Sequence, residues 1–100
     1  MGYRHFDTAE MYAAGHSELM LGRAMSTQQR SDFILTTKVN ADNLAYDDLL
    51  AACDRSLERL QTDYIDLYLI HWPNPEIPLA ESFRALNHLV SVGKIRHVGV

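Results

Sequence analysis

The chain has 100 residues, of which 47% are hydrophobic and 22% charged, and its formal net charge at pH 7 is −4. Such a composition is ordinary for one soluble globular domain and argues against a disordered chain. The nine Lys and Arg residues are scattered along the sequence, whereas binding to nucleic acid needs a basic stripe. We therefore expect a small-molecule partner and no nucleic acid.

The sequence also argues against a membrane anchor, a disulfide and a metal site. Its longest apolar strand, Ile65 to Ile70, contains Asp66 and is far shorter than the roughly twenty apolar residues of a membrane span. Cys53 is the single cysteine, and neither a CxxC nor an HExxH spacing occurs. With no recognisable targeting segment, we expect a cytoplasmic protein that binds neither a membrane nor a metal.

Apolar residues alternate between the spacing of strands and that of helices along the chain. In chain order, the sequence predicts a strand from Tyr3 to Phe6, a helix from Ser17, a strand from Phe33 to Thr37, a helix from Tyr46 to Leu60, a strand from Ile65 to Ile70, a helix that includes Leu79 to Val90 and a strand from Ile95 to Val100. This alternation is a repeated βα unit.

Each predicted helix has its own signal. Ser17 is a common N-cap residue and is followed by Glu18, although Gly22 weakens this first helix. The second helix has apolar residues at three- and four-residue spacing, namely Leu49, Cys53, Leu57 and Leu60. The third has an apolar stripe of four residues, Leu79, Phe83, Leu86 and Val90. Gly93, followed by Lys94, is a usual ending for this third helix.

The repeated βα unit predicts a parallel sheet, and near-continuous apolar strands suit a sheet that is buried on both faces. A doubly wound sheet usually has a glycine-rich phosphate loop after its first strand, and no GxGxxG or GxxxxGK[ST] motif occurs here. A (β/α)8 TIM barrel needs about 250 residues, so four strands amount to roughly half of one. We therefore predict that residues 1–100 form a single incomplete α/β barrel domain.

Three of the predicted strands run into an ionisable residue at their carboxyl ends, and these residues are Asp7, Lys38 and His71. In a parallel barrel the carboxyl ends of the strands carry the chemistry, so these side chains are expected to converge on one site. Tyr12 follows Asp7 by five residues, close enough for the intervening loop to bring its phenol to the same place. Together these four groups suggest proton transfer.

Four segments of the chain closely resemble the aldo-keto reductase family, in the order and spacing of that family. They are Gly2 to Tyr12, Leu35 to Val39, Asp63 to Pro73 and Gly93 to Val100. The resemblance covers essentially the whole chain and corresponds to about the second to fifth strand segments of the barrel. It implies a carbonyl reductase that depends on a nicotinamide cofactor, usually NADPH, with NADH as the alternative.

The resemblance also implies a role for each ionisable residue. Tyr12 matches the proton donor of the family, Lys38 its ammonium partner, and Asp7 the carboxylate that pairs with this lysine and is assigned to cofactor binding. His71 matches the imidazole that orients the substrate carbonyl, and Trp72 an aromatic wall of the substrate pocket. Chemically, a hydride that reaches a carbonyl carbon leaves charge on the oxygen, which a general acid must neutralise. A phenol, whose pKa is about 10, becomes a better acid beside an ammonium group.

Each of these residues also has a structural interpretation. In that interpretation Asp7 is a helix or turn cap, Lys38 a solvated strand end, Tyr12 a half-buried aromatic residue and His71 a turn residue before Pro73. Cys53 lies on an apolar helix face and is interpreted as a small core residue. The other histidines have no ligand spacing and are interpreted as structural or surface residues: His5, His16, His88 and His97. Asp66 is a polar strand residue for which the sequence identifies no partner.

Two classes of function stay open at this level. The first is a reductase whose complete barrel uses this segment for catalysis, and the second is a non-catalytic binding or structural subunit built on the same barrel. In the family, strands beyond this segment contact the nicotinamide amide, the pyrophosphate and the adenosine 2′-phosphate. We therefore expect the isolated 100-residue chain to be inactive.

Overall fold

A computed structural model of the chain describes residues 4–9, 15–26 and 29–99, with residue 4 described at the level of its backbone. Its elements, in chain order, are β1 (Arg4–Asp7), α1 (His16–Met25), β2 (Phe33–Val39), α2 (Tyr46–Leu60), β3 (Ile65–Ile70), α3 (Leu79–Ser91) and β4 (Ile95–Gly99). None of the helices in these ranges has the length and apolar character required to cross a lipid bilayer.

The four strands form one parallel sheet in the order β1, β2, β3, β4. A helix lies between each pair of consecutive strands, so the predicted βα repeat and parallel sheet are confirmed. Three predicted boundaries were wrong, because β1 continues to Asp7 instead of stopping at Phe6, β2 continues to Val39 instead of stopping at Thr37, and α1 begins at His16 instead of Ser17. Tyr3 and Val100, predicted as strand residues, lie outside the described residues.

The two faces of the sheet differ, because successive strand residues point to opposite sides. On β2, Leu35, Thr37 and Val39 are buried on the face that the helices cover. Thr36 and Lys38 lie on the opposite face, which would become the interior of a closed barrel. Lys38 is therefore an interior residue at the carboxyl end of its strand.

Helix α2 packs on the sheet through the stripe that its sequence predicts, because its four stripe residues are all buried. Cys53 on this stripe has no exposed surface, which confirms it as a core residue. Burial, with a smaller contribution from the neighbouring carboxylate of Asp54, raises the pKa of the Cys53 thiol to about 12. At neutral pH this side chain is a protonated thiol, which is a poor nucleophile.

Helix α3 buries a different stripe from the predicted one. Leu86 is buried and Phe83 is partly buried, but Leu79 is 51% exposed and Val90 is 40% exposed. The buried face consists of Ser82, Ala85, Leu86 and Leu89. The reason is that small residues allow the closest approach to the layer below, whereas apolar spacing alone ignores residue size. Gly93, with φ of 81°, adopts the left-handed conformation expected after a helix end.

Helices α1 and α2 approach each other closely at Gly22. A Cβ atom at this position would lie 2.8 Å from the carbonyl carbon of Leu60 and 2.9 Å from its Cα. Gly22 is buried, so it permits close helix packing in addition to lowering the intrinsic stability of α1.

We predict that Gly22→Ala destabilises the protein by about 1–3 kcal/mol, because the added methyl group meets backbone atoms that cannot rotate away. Urea unfolding followed by circular dichroism measures this change. Met20→Ala on the same helix is the matched control, since Met20 is exposed and a surface substitution changes stability by less than about 0.5 kcal/mol. Equal unfolding midpoints for Gly22→Ala and the wild type would contradict the close packing.

Candidate active site

Asp7 and Lys38 form an ion pair at the carboxyl ends of β1 and β2. The Lys38 Nζ donates to Asp7 Oδ1 at 2.6 Å and to the Thr8 carbonyl oxygen at 3.1 Å. The two residues meet because Asp7 is paired in register with Thr36, two residues before Lys38 on the same face of β2. A long lysine side chain spans this offset and reaches back to the carboxylate.

The two members of this pair differ in their exposure to solvent. The Lys38 side chain is 17% exposed, whereas that of Asp7 is 56% exposed. The ammonium is therefore enclosed, while much of the carboxylate surface faces the open end of the sheet. An ion pair with a half-exposed member contributes little to stability. Its main effect is to hold a positive charge at this end of the sheet.

His71 follows β3 at the same end of the sheet. Its backbone N–H donates to the Val39 carbonyl oxygen at 3.1 Å, which extends the ladder between β2 and β3 by one residue. The imidazole stacks on the Trp72 ring, with centroids 5.6 Å apart and planes inclined by 10°. Trp72 is 60% exposed, so this stack presents an aromatic surface next to the strand ends.

The structure thus brings three of the four predicted ionisable residues to one end of the sheet, on three adjacent strands. Tyr12, the predicted proton donor, lies outside the described residues. Its described neighbours along the chain are Thr8 and Ala9, which are buried, and Gly15, which precedes α1 with φ of 88°.

Sequence reasoning missed a buried charge beneath this site. Glu18 has no exposed surface, although an acidic residue in the first turn of a helix usually faces water near the helix dipole. Its carboxylate accepts hydrogen bonds from Thr37 Oγ1 at 2.6 Å, from Ser56 Oγ at 3.0 Å and from Arg59 Nε at 2.8 Å. The partners lie 19, 38 and 41 residues away in sequence, so no local pattern indicates them.

Asp66 has a partner that the sequence did not identify. Its Oδ2 accepts from Arg30 Nη2 at 2.7 Å and from the Leu35 backbone N–H at 2.9 Å. Arg30 precedes β2 and also donates to the Tyr64 carbonyl oxygen at 2.9 Å. This cluster lies at the amino ends of the strands, away from Asp7 and Lys38, and joins β2 to β3.

The remaining histidines fit their structural interpretation. His5 Nε2 lies 2.8 Å from Thr36 Oγ1, and His16, His88 and His97 are exposed. Within residues 4–9, 15–26 and 29–99, no three His, Cys, Asp or Glu side chains are grouped so that they could hold a metal ion.

The chain matches known proteins in both sequence and structure. The model of the Aldo/keto reductase family matches residues 1–100. The glyoxal reductase of Bacillus subtilis is 43% identical over 99 residues, which cover 99% of this chain and 35% of that relative.

The chain is also similar to solved structures over its whole length or nearly so. A thermostable aldo-keto reductase in complex with the inhibitor epalrestat has a TM-score of 0.96 and 51% identity, over 100% of this chain and 36% of that one. The aldo-keto reductase of Klebsiella pneumoniae in complex with NADPH has a TM-score of 0.91 and 44% identity, over 97% of this chain and 34% of that one. The chain therefore spans about a third of the length of these proteins.

Proposed function

The chain belongs to the aldo/keto reductase family, and on this premise we propose that the protein reduces aldehydes or ketones to alcohols with NADPH as hydride donor. The family resemblance of the four sequence segments is confirmed, and so is the partial (β/α)8 barrel, because the parallel strands and helices match aldo-keto reductase structures. We further propose that residues 1–100 are one incomplete barrel domain of a cytoplasmic enzyme.

The observation that carries the proposal is the ion pair between Asp7 and Lys38. A positive charge enclosed at the carboxyl end of a barrel strand is costly unless it is paired, and it lies where barrel enzymes carry out their chemistry. A binding or structural subunit, the alternative that the sequence left open, does not require an enclosed ammonium at the carboxyl ends of the strands, whereas proton transfer to a carbonyl oxygen does benefit from one. The ion pair therefore favours an enzyme.

The residues at this end of the sheet fit a nicotinamide cofactor. The half-exposed carboxylate of Asp7 can accept hydrogen bonds from the hydroxyl or amide groups of a nicotinamide nucleoside, and we assign Asp7 to cofactor binding. When bound, the cofactor supplies the hydride that reduces the carbonyl carbon. NADPH is preferred over NADH in this proposal because a similar enzyme from Klebsiella pneumoniae was crystallised with NADPH.

The other site residues act on the proton and the substrate. We assign Tyr12 as the general acid that protonates the carbonyl oxygen, with the Lys38 ammonium favouring release of the phenolic proton. His71 orients the carbonyl by hydrogen bonding, and Trp72 forms an apolar wall of the substrate pocket. Small dicarbonyls such as glyoxal are the first substrates to test, since a glyoxal reductase is among the similar proteins.

We predict that Tyr12→Phe lowers the rate of reduction at least about 10²-fold in the full-length protein that contains these residues, because general acid catalysis contributes this much. The ring is retained, so KM and thermal stability should change little. NADPH oxidation with glyoxal measures the rate. Tyr64→Phe is the matched control, because Tyr64 lies with Arg30 at the opposite end of the strands. Turnover of Tyr12→Phe close to that of wild type would rule out Tyr12 as proton donor.

We predict that Lys38→Met lowers kcat at least about 10²-fold as well, because the phenol loses the charge that makes it a better acid. Lys94→Met is the control, since Lys94 forms an exposed ion pair with Asp54 at 2.7 Å and such pairs contribute little. The same assay compares the two variants. If Lys38→Met keeps its rate, or if both variants lose it equally, the proposed role of Lys38 is wrong.

We predict that a polypeptide of residues 1–100 alone neither binds NADPH at micromolar concentrations nor reduces a carbonyl. It spans about a third of its relatives, and catalytic groups without a positioned hydride donor have little rate advantage. Titration of NADPH fluorescence tests this, with the full-length protein as the positive control. Saturable binding by the short polypeptide would show that residues 1–100 hold the cofactor unaided.

A further inference from the structure

We propose that Thr8 and Glu18 are positioning residues that fix the ammonium of Lys38 beside Asp7. A lysine has a flexible four-carbon stem, and an ion pair with a half-exposed carboxylate holds such a side chain weakly. The structure supplies further constraints on Lys38, at its charged end and at its backbone end. The expected effect on kcat rests on the proposed function, whereas the position of Lys38 can be tested by a measurement that does not involve catalysis.

Thr8 constrains the charged end of Lys38. Its carbonyl oxygen accepts from Lys38 Nζ at 3.1 Å, and its own N–H donates to the Thr36 carbonyl oxygen at 2.9 Å. Its hydroxyl lies 2.8 Å from Ser17 Oγ at the start of α1. Thr8 is buried and is held on both sides, by β2 and by α1, so the direction of its carbonyl group is fixed.

Glu18 constrains the backbone end of Lys38. It follows Ser17 in the chain, and its fully buried carboxylate accepts from Thr37 Oγ1 at 2.6 Å. Thr37 directly precedes Lys38 on β2 and points to the opposite face of the sheet. Arg59 and Ser56 of α2 bind the same carboxylate, so Thr37 is anchored to two helices.

These contacts form a closed ring, which we call the Lys38 ring: Lys38, Thr8, Ser17, Glu18, Thr37 and back to Lys38. Three links are hydrogen bonds, and two are the peptide bonds between consecutive residues. A closed ring restricts the ammonium more than any one contact does, because Nζ cannot move away from Asp7 without breaking its partly buried hydrogen bond to the Thr8 carbonyl oxygen, and the ring holds that carbonyl group in place. Neither Thr8 nor Glu18 needs to contact the substrate to have this effect.

The test uses Thr8→Val, which keeps the shape of the side chain and removes its hydroxyl, and Thr8→Ser, which keeps the hydroxyl. In the full-length protein, the rate of reductive methylation of Lys38 is measured at fixed pH by peptide mass spectrometry, with the exposed Lys94 as internal reference. We expect Thr8→Val to raise the labelling rate of Lys38 about fivefold and to lower kcat about fivefold, the effect of one lost hydrogen bond. KM for NADPH should stay unchanged. Thr8→Ser should have the labelling rate and kcat of the wild type.

Ser82→Ala is the control for the loss of a buried hydroxyl, since Ser82 Oγ donates to the Leu44 carbonyl oxygen at 2.7 Å and is not part of the ring. It should lower the melting temperature without changing Lys38 labelling. Wild-type labelling in Thr8→Val, or equal changes in Ser82→Ala, would overturn the proposal. If Thr8→Val does not fold, Ser17→Ala removes the other half of the same hydroxyl pair and decides the question.

Failure of the ring and failure of the proposed function give different results. If Lys38→Met is inactive while Thr8→Val labels and reacts as wild type does, the Lys38 ring is wrong and the function stands. If Lys38→Met is active while Thr8→Val exposes Lys38 to labelling, the Lys38 ring does hold the lysine in place, but Lys38 is not needed for the reduction.

Discussion

The arrangement of this chain depends on the buried carboxylate of Glu18. A carboxylate without any exposed surface is tolerated only when its oxygens are paired and hydrogen-bonded. The partners come from β2 and α2, so one side chain of α1 joins a strand and two helices. Removing Glu18 would leave the buried hydroxyl groups of Thr37 and Ser56 and the partly exposed guanidinium of Arg59 without this partner, and each buried polar group left unsatisfied costs about 1–3 kcal/mol.

Much of the fold follows from local pattern alone. The sequence predicts the bounds of α2 and β3 to the residue, because α2 is strongly amphipathic and β3 is an apolar run between polar turns. It is less accurate for α3, where Leu79 and Val90 are exposed and Ser82 and Ala85 are buried. Which face of a helix packs depends on the shape of the layer that it meets, and that shape is not encoded in the spacing of apolar residues.

Some contacts of the candidate site also follow from the sequence, and others do not. The approach of Asp7 and Lys38 follows from strand ends and parallel pairing, since neighbouring parallel strands end at the same edge. The pairing of Asp66 with Arg30 does not follow, because 36 residues separate the two and several other cations in the chain were equally eligible. Tertiary packing decides which polar groups pair in a folded core. A single sequence therefore predicts the ionisable residues at the strand ends, but it does not predict the partners of buried polar residues.

The burial of Cys53 has a practical consequence for experiments on this segment. The chain has one cysteine, and that thiol is enclosed in the core with a pKa raised to about 12. A maleimide reagent at neutral pH would therefore leave the folded segment unmodified. A cysteine introduced at an exposed position, such as Met20 on α1, would accept a fluorophore or spin label selectively, and the native cysteine would not have to be replaced first.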